Sequence, residues 1–157
     1  MAISRTYTVQ FGAVAVSAAQ DLFELTAAAG KDIELVAISL TQSTNLGDAN
    51  EKELQVAIKS GQTTSGSGGS APTPVPLGVT DAAAGFAAEV NNTTKASAGT
   101  IVTHFYSDWN TRMPFIWILP EDMRPHMTGS RRMTIELVNA PAASTTMSGT
   151  IWVREFG

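Results

Sequence analysis

His104 and Asp108 stand four residues apart in "THFYSDWN", and serines are frequent, so the parts of a Ser-His-Asp proton relay are all present in the chain. What is missing is a device to hold the nucleophile. No G-x-S-x-G elbow occurs, and His126 is the only other imidazole. A histidine at a strand end without a positioned nucleophile reads as a surface or interface residue, and no catalytic residue is assigned. Gly66-Ser67-Gly68-Gly69 follows a strand-like run, as a phosphate cradle would. The G-x-x-x-x-G-K-[ST] order is absent, however, and Pro72, Pro74 and Pro76 forbid the helix that would have to follow. Asp48, Asn50 and Glu51 in "NLGDANEKE" offer oxygen ligands to a calcium ion, but their spacing departs from an EF-hand loop and a solvated turn accounts for them equally well. Glu121 and Asp122 are adjacent, so their side chains diverge, whereas a glycosidase pair faces one bond across about 5–10 Å. Neither a metal nor a cofactor is expected.

The elements that would position such residues are strands. In "RTYTVQF" Tyr7, Val9 and Phe11 share one parity and Thr6, Thr8 and Gln10 the other, which predicts a half-buried strand over Ser4 to Phe11. "DLFELTA" and "KDIELVAISLTQ" follow around an "AAAGK" turn. In the second of these the apolar parity switches from Ile33 and Leu35 to Val36, Ile38 and Leu40, the mark of a β-bulge or of burial on both faces. "ELQVAIKS" alternates cleanly, with Leu54, Val56 and Ile58 inward. "TIVTHFYS", "FIWIL", "RRMTIELV" and "TTMSGTIWVRE" bring the total to about eight strands. The alanines of Asp81 to Val90 also allow a short helix, although Gly85 interrupts it. Many short strands with long crossovers predict an all-β protein: an antiparallel β-sandwich, with a jelly roll favoured over an immunoglobulin-like fold. One domain over residues 1–157 is expected, with residues 61–99 as a long excursion within it.

Composition narrows the partners. Charged residues are 15% of the chain against about 25% in typical globular proteins, so the surface is built largely from small, weakly polar side chains suited to close packing. With a net charge of −4 and no basic run beyond Arg131-Arg132, nucleic acid is not an expected partner. "MAISRTYTVQF" has no charged stretch leading into an apolar one and no apolar run approaches about 18 residues, so neither Sec export nor a membrane partner is expected. "NNTT" at Asn91 to Thr94 meets the N-glycosylation pattern twice but, with no leader, reads as a turn. No cysteine is present to form a disulfide or a thiolate metal site.

The positive signal lies in the aromatics. Phe105, Tyr106, Trp109, Phe115 and Trp117 crowd around "SDWNTRMP". Phe115 and Trp117 share a strand face and are assigned to the core. Trp109, between Asp108 and Asn110, is expected to be exposed in a turn and, with Tyr106, Arg112 and Met113, to form a protein interface, since Trp, Arg and Met are enriched in such contacts.

The chain resembles small virion proteins of tailed bacteriophages and their prophage relatives. "AAQDLFELTAAAGK" near the start, "SGSGGSAPTPVPL" with "AAGFAAEVNNTT" in the middle and "MSGTIWVREFG" at the end carry the resemblance, which covers most of the sequence. It implies a non-enzymatic, jelly-roll capsid decoration (cement) protein, made in the host cytoplasm and seated as a homotrimer on the virion exterior. There it would bridge and stabilise subunits of the major capsid protein. The alternative is a carbohydrate- or receptor-binding module of a head fibre or tail, resting on Trp109 and Tyr106. In the first role the flexible "SGSGGS" followed by Pro72, Pro74 and Pro76 in P-x-P-x-P spacing reads as an arm that leaves its own sandwich to lie on a neighbour. Trp152 has the opposite parity from Met147, Ile151 and Val153, so it is predicted to point outward beside Thr150 and Arg154 and to join the self-interface.

Overall fold

The structure, a computed structural model, describes residues 4–44 and 53–157. Its strands are β1 (Arg5–Val16), β2 (Gln20–Thr26), β3 (Asp32–Gln42), β4 (Glu53–Thr64), β5 (Val75–Pro76), β6 (Ala87–Asn92), β7 (Ser97–Asn110), β8 (Phe115–Ile118), β9 (His126–Thr128), β10 (Arg132–Leu137) and β11 (Thr145–Phe156). A single 3-10 turn at Glu121–Met123 is the sole helical element among the described residues. Two antiparallel sheets form a sandwich. The first orders its strands β5-β1-β11-β3-β8, with β9 also on β3, and the second β6-β2-β10-β4-β7. Without the short β5, β6 and β9, eight framework strands remain. The first of these lies beside the eighth, the second beside the seventh, the third beside the sixth and the fourth beside the fifth. That nesting is the connectivity of a jelly roll, as the strand pattern predicts.

Alternation explains the layers. Along β11 buried and half-buried residues alternate without a break, placing Met147, Gly149, Ile151 and Val153 inward. One inward row of the first sheet runs Val9–Ile151–Ile38–Trp117 and the next Phe11–Gly149–Leu40–Phe115. Phe23, Ile135, Ile58 and Phe105 face them from the second sheet. Gly149 has a steric reason: a Cβ there would lie 2.8 Å from the Phe11 ring, so glycine makes room for the aromatic beside it. The parity switch in β3 is a bulge, since Trp152 and Val153 of β11 pair with Ala37 and Leu35 and leave Val36 over.

Two sequence expectations are corrected. Asp81 to Val90 is not a helix: its second half belongs to β6, and its first half is tied to distant partners. Gly85 N–H and Phe86 N–H both donate to Glu155 Oε2, at 2.7 and 3.1 Å, and Tyr7 OH donates to Ala82 C=O. These bonds outweigh the local preference of alanine for helix. The second correction concerns residues 61–99, which do not project as an arm. Residues 61–64 complete β4, residues 97–99 begin β7, and the stretch between lies on its own sandwich. Ser67 bridges Thr94 and Ser70 bridges Val90 along β6, while Val75 and Pro76 pair with Thr8 and Tyr7 of β1. The glycines serve close approach here, since a Cβ on Gly69 would sit 2.1 Å from Val90 O. Pro74 is buried and Pro72 and Pro76 are half-buried against this body.

Candidate assembly surfaces

A buried polar layer holds the excursion in place. Glu24, 1% exposed, accepts from Ser65 Oγ at 2.7 Å, Gly66 N–H at 2.9 Å and Asn92 Nδ2 at 3.0 Å. Arg132 Nε lies 2.9 Å from Glu24 Oε1, the oxygen that also accepts from Ser65, in an ion pair that lacks hydrogen-bond alignment. Glu136 is shared by Lys59 at 2.6 Å and Lys95 at 2.5 Å. Beside them Asp21 accepts from Ala96 N–H at 2.7 Å, and burial pushes its carboxyl up to about 7, with Glu136 and Glu24 adding to the rise. Half-satisfied buried charges are costly, and here each carboxylate has partners supplied by the excursion itself or by its flanks. The outcome is a molecule partly covered along one flank, where Ser70 bridges Val90 of β6, Ser67 bridges Thr94 just beyond it, and Val75 and Pro76 pair with Thr8 and Tyr7 of β1.

On the outer face of the first sheet, register places Val75, Thr8, Trp152, Ala37 and Ile118 in one row that crosses β5, β1, β11, β3 and β8. The neighbouring row is Gln10, Thr150, Ser39 and Ile116. Neither row carries a charge. Ile116 and Ile118 are 66% and 72% exposed and Trp152 is half-buried, so the outward reading of Trp152 holds. At one end of this face Arg124 and Arg154 each lie 3.0 Å from Glu34 Oε1, and Arg154 also lies 3.1 Å from Glu121, a charged rim to the uncharged centre. An uncharged centre with a charged rim is the layout of a protein interface.

Trp109 is corrected. It is 2% exposed, lies in the core cluster and donates from Nε1 to Met113 C=O at 2.7 Å. The strand runs on through Asn110, so Trp109 keeps the inward parity of Phe105, a periodicity legible in the sequence had the turn been placed later. Its burial takes Trp109 out of the stacking surface on which the sugar-binding alternative rested and leaves Tyr106 as the exposed ring of that pair. Tyr106, Arg112 and Met113 are exposed as expected. Phe115 and Trp117 are half-buried against the core, and Trp117 stacks on Phe105 with ring centroids 3.6 Å apart. This stack floors an open cleft of about 390 Å³, with His104, Asp122, Arg124 and His126 on its walls. His104 Nε2 shares a 2.7 Å hydrogen bond with Ser60 Oγ, and burial, with a contribution from His126, holds its pKa below the ordinary value. Among the described residues, the hydrogen bond of the His104 ring is to Ser60 and not to a carboxylate. Asp48, Asn50 and Glu51 lie outside the described residues. Among the described residues, no group of three or more His, Cys, Asp or Glu could hold a metal ion, and no helix is long and apolar enough to cross a membrane.

The site thus belongs to an antiparallel jelly-roll sandwich whose first sheet carries an uncharged patch on its outer face. No protein-family model and no curated protein matches the chain. Among solved structures it is similar to a chain in the "Structure of infectious bursal disease virus Gx strain", at 16% identity and a TM-score of 0.30, over 98% of this chain and 32% of that one. A second similarity is to a chain of the T13 viral particle of the same virus, at 10% identity and a TM-score of 0.19, over 98% of this chain and 39% of that one. The chain spans less than two fifths of the length of either, and neither alignment is close enough to carry an argument about fold or role.

Proposed function

We propose that this chain is a non-enzymatic structural protein of a virion, which binds assembled capsid and bridges major capsid subunits as a decoration protein. One observation carries the proposal. A jelly roll, an architecture recurrent in capsid proteins, presents across its first sheet a charge-free row of Val75, Thr8, Trp152, Ala37 and Ile118 with a polar rim, a surface built to be covered. The resemblance of "MSGTIWVREFG" and the other segments to phage virion proteins agrees with it, because Trp152 in that last segment is the centre of the row. Fold alone does not imply the role, so the test has to be direct. Capsids prepared without the protein should bind it when it is added back, and their resistance to heat or pressure should rise. If added protein neither bound nor stabilised such capsids, the decoration role would be abandoned.

A further inference from the structure

The two flanks of the sandwich are treated oppositely. On the flank formed by β1 and β6, residues 67–76 lie along parts of the outer edges: Ser70 bridges Val90 of β6, Ser67 bridges Thr94 just beyond it, Val75 and Pro76 pair with Thr8 and Tyr7 of β1, and Leu77 N–H reaches Thr6 C=O. Three prolines in this cover give it a backbone that cannot pass on a full ladder of donors. The opposite flank is formed by β7 and β8. Among the described residues, β7 pairs with β4 on one side and with no strand on the other, over fourteen residues where strands of about 5–6 are usual. Its first eight residues are exposed without interruption, including Ile101 and Val102.

Edges left open in soluble proteins are normally blunted with lysine, proline, inward charges or bulges. β7 contains no Lys, Arg, Glu or Pro, and "TIVTHFY" is made almost wholly of β-branched and aromatic residues that favour strand pairing. Register shifts against β4 fall in its Gly99–Phe105 half; Phe105–Asn110 pairs with Glu53–Ile58 unbroken. The only carboxylate is Asp108, towards the far end. Two copies paired antiparallel about an axis near Phe105 would therefore bring no like charges into opposition.

We propose that β7 is a self-pairing edge: two copies of the chain join antiparallel through it, fusing their second sheets into one continuous ten-stranded sheet. A head-to-tail ring of strand edges would need an open edge on the other flank, where Val75 and Pro76 already pair with Thr8 and Tyr7 of β1 and Ser70 bridges Val90 of β6. Edge pairing is thus isologous and two-fold, in place of the three-fold state that the resemblance implies. The pairing does not depend on the capsid role, and its test needs no capsid.

Sedimentation velocity of the whole chain at tens of micromolar should give a dimer. Ile101→Lys and Tyr106→Lys, at exposed positions, should each weaken it at least tenfold with thermal unfolding unchanged, whereas Val79→Lys on the partly covered flank should leave it intact. Because the chain has no cysteine, single cysteines introduced in turn at positions 102 to 107 report on the axis without interference. Residues facing across an antiparallel pair have Cα atoms about 4.5–5.5 Å apart, within disulfide reach. One position should therefore cross-link efficiently on oxidation and its neighbours poorly. A monomer, a trimer, a dimer indifferent to both lysines, or the absence of any cross-link in this stretch would each overturn the proposal.

Discussion

Asp21 makes one contribution to this protein's stability depend on pH. Its carboxyl titrates near 3.8 in an unfolded chain and is pushed up to about 7 in the fold, chiefly by burial. The folded state therefore holds a proton that the unfolded state has released throughout that interval. By linkage, the contribution to stability is full below about pH 3.8 and is lost as pH rises towards 7. Asp21→Asn keeps an acceptor for Ala96 N–H and removes the titration. Equilibrium unfolding across pH should show the variant equal to the parent near pH 3 and more stable above pH 7, by up to about 4 kcal/mol. The two outlying tryptophans make opposite predictions. Trp109→Ala, in the core, should cost about 3–5 kcal/mol in denaturant unfolding. Trp152→Ala should leave unfolding nearly unchanged and instead weaken binding to capsid, because this side chain faces outward from β11.

Among elements, the excursion between β4 and β7 differs most from what its composition suggests. Glycine, serine and proline in such density read as a flexible or extended arm, because each residue taken alone is compatible with disorder. The glycines instead let the backbone press against β6, where Gly66 and Gly69 each leave no room for a Cβ. Gly69→Ala should lift residues 67–70 from Val90, and Glu24→Ala should strand Arg132 and release Ser65 and Gly66 together. The second change removes one partner of a buried ion pair, a loss of about 3–5 kcal/mol. Limited proteolysis within residues 65–78 should accelerate in both variants while the parent resists. Cleavage equally fast in the parent would show that the cover is loosely held.

At the scale of the whole molecule, the sandwich has one flank partly covered by its own chain, one flank open along β7 among the described residues, and an uncharged patch on the outer face of the first sheet. Placing the outer-face row against a capsid would leave β7 free, so the two surfaces can act independently. Ile118→Asp, on the row, should impair capsid binding and leave the β7 dimer intact, whereas Ile101→Lys should do the reverse. Separate assays of binding and of sedimentation would establish whether the surfaces are distinct, and a variant that lost both activities while still folded would show that they are one.

The eight framework strands, the parity switch in β3, the inward set of β11 and the outward position of Trp152 were legible in the sequence, because strand periodicity of two is a local property carried by consecutive side chains, whereas the short β5, β6 and β9 were not. The same rule applied further along "FYSDWN" would have buried Trp109, but Asp and Asn beside it resemble a turn, and only the pairing of Asn110 with Glu53 extends the strand. The excursion could not be read locally at all. Its course depends on Glu24, Tyr7 and Val90, which are distant in sequence and come together only when the sheets have formed. Which edges are covered and which remain open was likewise decided by tertiary structure, since an edge is defined by the neighbour a strand lacks and that absence is written nowhere in the strand itself.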